Sequence, residues 1–178
     1  AFLEKLLVAT RDLKVGDPFK EETSVGPLID DAAAERVAAW VEDARAGGAE
    51  VLVGGTREGR LMAPTLLTGV KRDMKVWSEE IFGPVAVVER VASMDEALDR
   101  LDDSSYGLQA GIFTYDLRRI RTAYERLEVG ALIVNDYPTF RADNYPYGGV
   151  RQSGIGREGL KYAMEAYSEL KTMVIAGR

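Results

Sequence analysis

The chain has 178 residues and a net charge of −6, and 46% of its residues are hydrophobic. That is enough to bury a core within one domain of ordinary size, and the acidity argues against nucleic acid as a main partner, because phosphate binding needs a basic face. There is no cysteine and no histidine, so disulfides, thiolate nucleophiles, Ser-His-Asp triads and His-ligated metal sites are excluded within it.

No apolar run is long enough to cross a bilayer, and no charged-then-apolar leader opens the chain, so the expectation is a cytoplasmic protein with no membrane partner. The opening AFLEKLL lacks an initiating Met and already lies in an apolar helical pattern, as expected of a piece of a longer protein. Phe2, Leu3, Leu6, Leu7 and Leu13 recur at helical spacing and end in the turn KVGDP. Loop follows to GPLID. From Asp31 a second helix is predicted, with Val37, Trp40, Val41 and Ala44 on one face and Gly47-Gly48 as its stop.

AEVLVGG and APTLLTGV read as short buried strands, MKVWSEE as a helical turn, and GPVAVVERV as a strand rich in β-branched residues. Ser93 and Glu96 form a capping box for the helix MDEALDRL. Strand LQAGIFT, helix DLRRIRTAYERLE and strand GALIVN come next. Then a long irregular loop runs from Asp136 to about Gly156. A helix from Arg157 to about Tyr167 and a terminal strand, ELKTMVIA, close the chain. The alternation predicts an α/β fold around a largely parallel sheet. The terminal strand has no following helix to cover it, and an open edge of that kind is often paired with another subunit.

Gly154, Gly156 and Gly159 spell G-x-G-x-x-G. A dinucleotide loop needs a strand running directly into the glycines and a second strand ending in an acid, and neither is present, so these glycines read as turn residues. In SEEIFGPVAVVER, Glu79 and Glu80 are either a solvated acid pair or one solvated acid beside one that faces a cleft and binds a vicinal diol. Phe82 is correspondingly a core residue or an apolar wall for a planar ring. Arg118, Arg119, Arg121 and Arg126, with Glu125 and Glu128 interleaved, read as a solvated helix face. The loop NDYPTFRADNYPYGG clusters Tyr137, Phe140, Tyr145 and Tyr147, either as a pocket wall or as a loop packed on its own side chains.

KVGDPFKEETSVGPLI, EEIFGPVAVV, YGLQAGIFT, GALIVN and YPYGGVRQSGIGREGLKYAMEAYSELKTMVI, in that order and spacing, closely resemble the aldehyde dehydrogenase superfamily over essentially the whole chain. The resemblance implies that Glu80 holds the hydroxyls of the nicotinamide ribose and that Phe82 packs near the nicotinamide, with NAD or NADP as cofactor. It implies that Tyr147, with Phe140 and Arg141 ahead of it, lines the aldehyde tunnel. Glu158 matches a glutamate implicated in proton relay in some members, and Arg157 looks structural. Residues 1–168 match the C-terminal part of the catalytic domain, and residues 169–178 match the tail that joins an oligomerisation sheet between subunits.

One departure matters. The family's catalytic cysteine, its water-activating glutamate and its dinucleotide-binding domain all precede the matched segment, and this chain has no cysteine. The implied reading is a fragment of an enzyme that oxidises an aldehyde to a carboxylic acid through a cysteine thioester. The fragment is expected to be inactive alone, with apolar surface exposed where the remainder of the parent packs. The alternative is a stand-alone, non-catalytic binding or interaction module that kept the fold. Arg141 pairs either with a carboxylate or phosphate on a small polar aldehyde or with Asp143.

Overall fold

A computed structural model describes residues 1–177 and divides the chain into two compact units, the first Ala1–Arg90 and the second beginning at Val91. The first unit is organised by one helix. After α1 (Phe2–Arg11) and a loop, α2 (Asp31–Ala46) starts where the Asp30 side chain accepts the Ala33 N–H at 2.6 Å. Its buried stripe, Val37, Val41 and Ala44, packs on Ala49, Met62, Leu67 and Val76. These side chains come from β3 (Leu61–Met62), β4 (Thr65–Thr68) and α3 (Lys75–Ser78), together with the residue just before β1 (Glu50–Val53).

β1, β4 and β5 (Val85–Val87) form a three-stranded sheet in the order β1-β4-β5, and β2 (Arg57–Glu58) pairs with β3 as a hairpin. The direction of each pair follows from what lies between its strands. Between β1 and β4 there is only that hairpin, and they run antiparallel. Between β4 and β5 the helix α3 intervenes, and Thr65, Leu66 and Leu67 face Val85, Ala86 and Val87 in parallel register.

In the second unit, α4 (Met94–Asp102) is capped by Ser93, whose hydroxyl accepts the Glu96 N–H at 3.1 Å. The reciprocal bond of the predicted capping box reaches one residue further back, with Glu96 Oε2 accepting the Ala92 N–H at 2.8 Å. β7 (Gln109–Ile112), α5 (Leu117–Arg126) and β8 (Ala131–Val134) make a β-α-β unit with β7 and β8 parallel. Its core is Leu98, Ala110, Ala123 and Leu127. β6 (Tyr106–Gly107) and β9 (Val150–Arg151) pair antiparallel, and α6 (Leu160–Ala166) follows.

The α/β class holds, and two expectations are corrected. Among the described residues the strands fall into four small sheets, in which only β4–β5 and β7–β8 are parallel, so the sheet is not largely parallel. The final helix begins at Leu160 rather than Arg157, because Gly159 has φ 116° and Glu158 is held by backbone bonds elsewhere. Arg126 stays on the exposed face and reaches α4 there, bonding Asp95 and Asp99. Residues 169–176, ELKTMVIA, join no ladder within this single chain, and the pairing expected of them is with another subunit. Arg178, the last residue of that tail, lies outside the described residues.

Candidate functional site

In the second unit the aromatic loop after β8 closes over the edge of the β7–β8 pair. Asn135 ends β8 with φ 59°, a left-handed conformation that Asn tolerates, and its Oδ1 accepts the Thr114 N–H at 2.9 Å. This clamps the end of β8 beside the end of β7 and sends the chain into the loop. Further along, Gln109 of β7 donates through Nε2 to the Phe140 carbonyl at 2.9 Å. The return of the loop is held tighter still. Tyr147 and Glu158 exchange both backbone hydrogen bonds as an isolated antiparallel bridge. Arg157 donates to the carbonyls of Gly149 and Gly156, and Ser153 Oγ accepts the Gly107 N–H.

These ties leave a cleft of about 210 Å³ whose lining includes Gln109, Ile133, Phe140, Arg141, Tyr145 and Tyr147. The Phe140 and Tyr145 rings lie 6.5 Å apart and tilted by 49°, forming an apolar wall. The Arg141 guanidinium stands 4.8 Å over the Tyr147 ring and donates from Nη2 to Glu158 Oε2 at 2.7 Å. A small molecule entering here meets apolar walls and one fixed cation, an arrangement suited to a short chain bearing an acidic group.

The structure brings together Phe140, Arg141 and Tyr147 on one cleft and places the Glu158 carboxylate on the Arg141 head group rather than on the cleft lining. Arg141 pairs with Glu158, a partner that the sequence reading did not consider beside Asp143. Gln109 was also missed: within the strand pattern it is one polar residue among several, and only the fold sets it under Phe140.

The three glycines Gly154, Gly156 and Gly159 have φ of 119°, 84° and 116°. They are turn residues that only glycine occupies without strain: Gly154 and Gly156 carry the chain from β9 to the bridge at Glu158, and Gly159 leads into α6.

In the first unit, Glu80 is exposed two residues past the end of α3, and Ile81 packs inward on the core. Phe82 is 70% exposed with φ 47°. It is therefore no core residue. A bulky residue is rarely left in the left-handed region with its ring in solvent unless the ring has something to meet. An exposed carboxylate beside an exposed ring offers the acceptor and the apolar face that a ribose and its planar base require, so the residue types fit a nicotinamide nucleotide.

Asp102, Glu128 and Arg151 form a separate tie at the start of the loop's return. Arg151, with φ 56°, donates to the carbonyls of Asp102 and Ser104 and to the carboxylates of Asp102 and Glu128, all at 2.6–2.9 Å. The Glu128 N–H bonded to Asp102 holds that carboxyl below its ordinary value, with Arg151 adding to the effect and burial opposing it. Among the described residues, no three His, Cys, Asp or Glu side chains gather as a metal site requires, and no helix is long and apolar enough to cross a membrane.

The model of the aldehyde dehydrogenase family matches residues 1–173. The 3-sulfolactaldehyde dehydrogenase of Priestia aryabhattai is 46% identical over 98% of this chain, which spans 37% of that relative's length. The crystal structure of the glyceraldehyde-3-phosphate dehydrogenase of Methanocaldococcus jannaschii complexed with NADP superimposes with a TM-score of 0.94 at 42% identity, covering 99% of this chain and 38% of that one. The aldehyde dehydrogenase 21 of Physcomitrella patens, in complex with its reaction product succinate, gives 0.90 at 44% identity, over 92% of this chain and 34% of that one.

Proposed function

This chain belongs to the aldehyde dehydrogenase family, and from that premise we propose that it forms one wall of the substrate cleft and part of the cofactor site in an NAD(P)-dependent enzyme that oxidises a small anionic aldehyde to its acid. The observation that carries the reading is Arg141, a cation fixed on Tyr147 in an otherwise apolar cleft.

Each of the three relatives supports it, since 3-sulfolactaldehyde, glyceraldehyde-3-phosphate and succinate all bear an acidic group. Arg141 holds that group, and Phe140, Tyr145 and Tyr147 enclose the carbon chain and exclude water. Glu80 accepts hydrogen bonds from the nicotinamide ribose, and Phe82 lies against the ring. The bound nucleotide supplies the hydride acceptor. The attacking cysteine and the glutamate that activates water come from residues outside this chain, which by itself is inactive. Glu158 serves as a proton relay near the site. The 169–178 tail adds a strand to a second copy, which gives its exposed Leu170, Met173, Val174 and Ile175 a partner. The location is cytoplasmic.

The test is steady-state turnover by the full-length protein that contains this chain, following reduction of NAD and of NADP with succinate semialdehyde, glyceraldehyde 3-phosphate and pentanal. Reduction that depends on the aldehyde and favours the anionic substrates is expected. Glu80→Gln is expected to raise the KM for the nucleotide about 10-fold, the value of one lost charge-assisted bond pair. No reduction with any aldehyde would leave the non-catalytic module as the better reading.

A further inference from the structure

Arg141 carries one positive charge and is given two claims on it. On one side it lines the cleft. On the other its Nη2 is bonded at 2.7 Å to Glu158, whose carboxylate is not part of the lining. We infer that Glu158 is a specificity-determining residue: it is an internal counter-ion that competes with the substrate's acidic group for Arg141. This rests on the reading of the cleft as the site of an anionic aldehyde.

Three features of the geometry make the competition workable. First, the guanidinium has a second restraint, the Tyr147 ring at 4.8 Å, so it stays at the cleft whether or not Glu158 holds it. Second, the ion pair is half exposed, with side-chain exposures of 49% and 63%, and a pair of that kind is weak enough to be given up to an incoming anion. Third, Glu158 is placed by its main chain, through the bridge to Tyr147, so its carboxylate can leave Arg141 without disturbing the loop.

With the cleft empty, or holding an uncharged aldehyde, Glu158 neutralises Arg141 and no unpaired cation faces the apolar walls. With an anionic aldehyde bound, the substrate neutralises it instead, and the carboxylate of Glu158 is repelled toward solvent. Glu158 therefore narrows the preference for anionic over neutral aldehydes. Without it, Arg141 would be a stronger anion site and a worse neighbour for a neutral chain.

The experiment uses the full-length protein and compares kcat/KM for succinate semialdehyde with kcat/KM for pentanal. In Glu158→Gln the ratio of the two is expected to rise about two- to fivefold, the range that an exposed ion pair can supply. A proton-relay role for Glu158 lowers kcat for both aldehydes alike and leaves the ratio untouched, so the two roles separate. Glu158→Asp, which keeps the charge but draws it back from Arg141, is expected to give an intermediate ratio.

Calorimetric titration with succinate adds an equilibrium measure that does not need turnover, and Glu158→Gln is expected to bind it about two- to fivefold more tightly. An unchanged or reduced ratio in an active Glu158→Gln enzyme, or unchanged succinate affinity, overturns the inference while leaving the dehydrogenase reading intact. Absence of turnover in the unsubstituted protein overturns both.

Discussion

Tyr147 and Glu158 exchange both of their backbone hydrogen bonds, with the Tyr147 N–H 3.1 Å from the Glu158 carbonyl and the Glu158 N–H 2.6 Å from the Tyr147 carbonyl. This closes the glycine-rich segment between them into a ring, and the Arg141 side chain reaches both residues at once. A cleft residue, its neighbouring carboxylate and the cation between them therefore sit in fixed relation on a loop with little regular structure.

Arg141→Ala removes the cation from that arrangement. The expected result in the full-length enzyme is a loss of roughly 10- to 100-fold in kcat/KM for succinate semialdehyde, the range of a lost charged hydrogen bond, and a change of less than about threefold for pentanal. Arg141→Lys should recover only part of the loss, because an ammonium cannot lie flat on Tyr147 while bonding two oxygens. Equal losses for both aldehydes would show that Arg141 shapes the loop rather than recognising charge.

Gly130 opens β8 against the loop's return. A Cβ built there would lie 1.7 Å from the Gly148 carbonyl oxygen and 2.9 Å from the Leu108 carbonyl oxygen, both backbone atoms that cannot turn aside. Gly130→Ala must therefore push the Tyr147 segment off the β7–β8 edge. A destabilisation of about 1–3 kcal/mol or more is expected in urea unfolding. The KM for the aldehyde should rise as well, since Gly130 and Gly148 both line the cleft.

The tie at Asp102 makes a prediction about acid. Its folded-state pKa lies below the ordinary carboxylate value, held there first by the Glu128 N–H and then by Arg151. A depressed carboxylate stabilises the fold at every pH above the ordinary value and loses that contribution as pH falls through the folded value. Asp102→Asn should therefore lower the unfolding midpoint at neutral pH and converge on the unsubstituted protein as pH falls through the folded-state value. A gap between the two proteins that is independent of pH would assign the effect to packing.

In the first unit, Thr65 is 1% exposed, and its hydroxyl accepts the Gly55 N–H at 2.9 Å while donating to the Ala63 carbonyl at 2.7 Å. Thr65→Val keeps the shape and strands both backbone groups, at an expected cost of about 1–3 kcal/mol. Leu67, fully buried against α2, should cost more on truncation, about 2–5 kcal/mol for Leu67→Ala. Denaturant titration of the two variants reads the order directly, and a Thr65→Val protein as stable as the original would show that the hydroxyl contributes nothing net.

The candidate site was legible in its residue types more than in its connections. Phe140, Arg141 and Tyr147 stand in one loop, whose clustered aromatics left a pocket wall and a self-packed loop both open; the resemblance to the family singled out these three. Their partners were not marked. Gln109 lies 31 residues before the carbonyl it holds, and Glu158 lies beyond the turn glycines Gly154 and Gly156. Nothing in local pattern distinguishes either from an ordinary polar surface residue. β6 and β9, two residues each, are too short for any periodicity to reveal, although their pairing sets the return of the loop.

What the sequence by itself determined is the part governed by near neighbours. The α2 stripe of Val37, Val41 and Ala44, the caps at Asp30, Ser93 and Asp116, and the β-branched strands follow from interactions within a few residues, so the order of the longer helices and strands could be read directly. Only the tertiary structure decided which strands pair and in which direction, and that Phe82 faces outward from a strained backbone. It also decided that Arg141 is shared between a cleft and Glu158. Each of these depends on groups distant in sequence being brought within a few ångströms, and that proximity is produced by burial of the two cores rather than by any local preference of the chain.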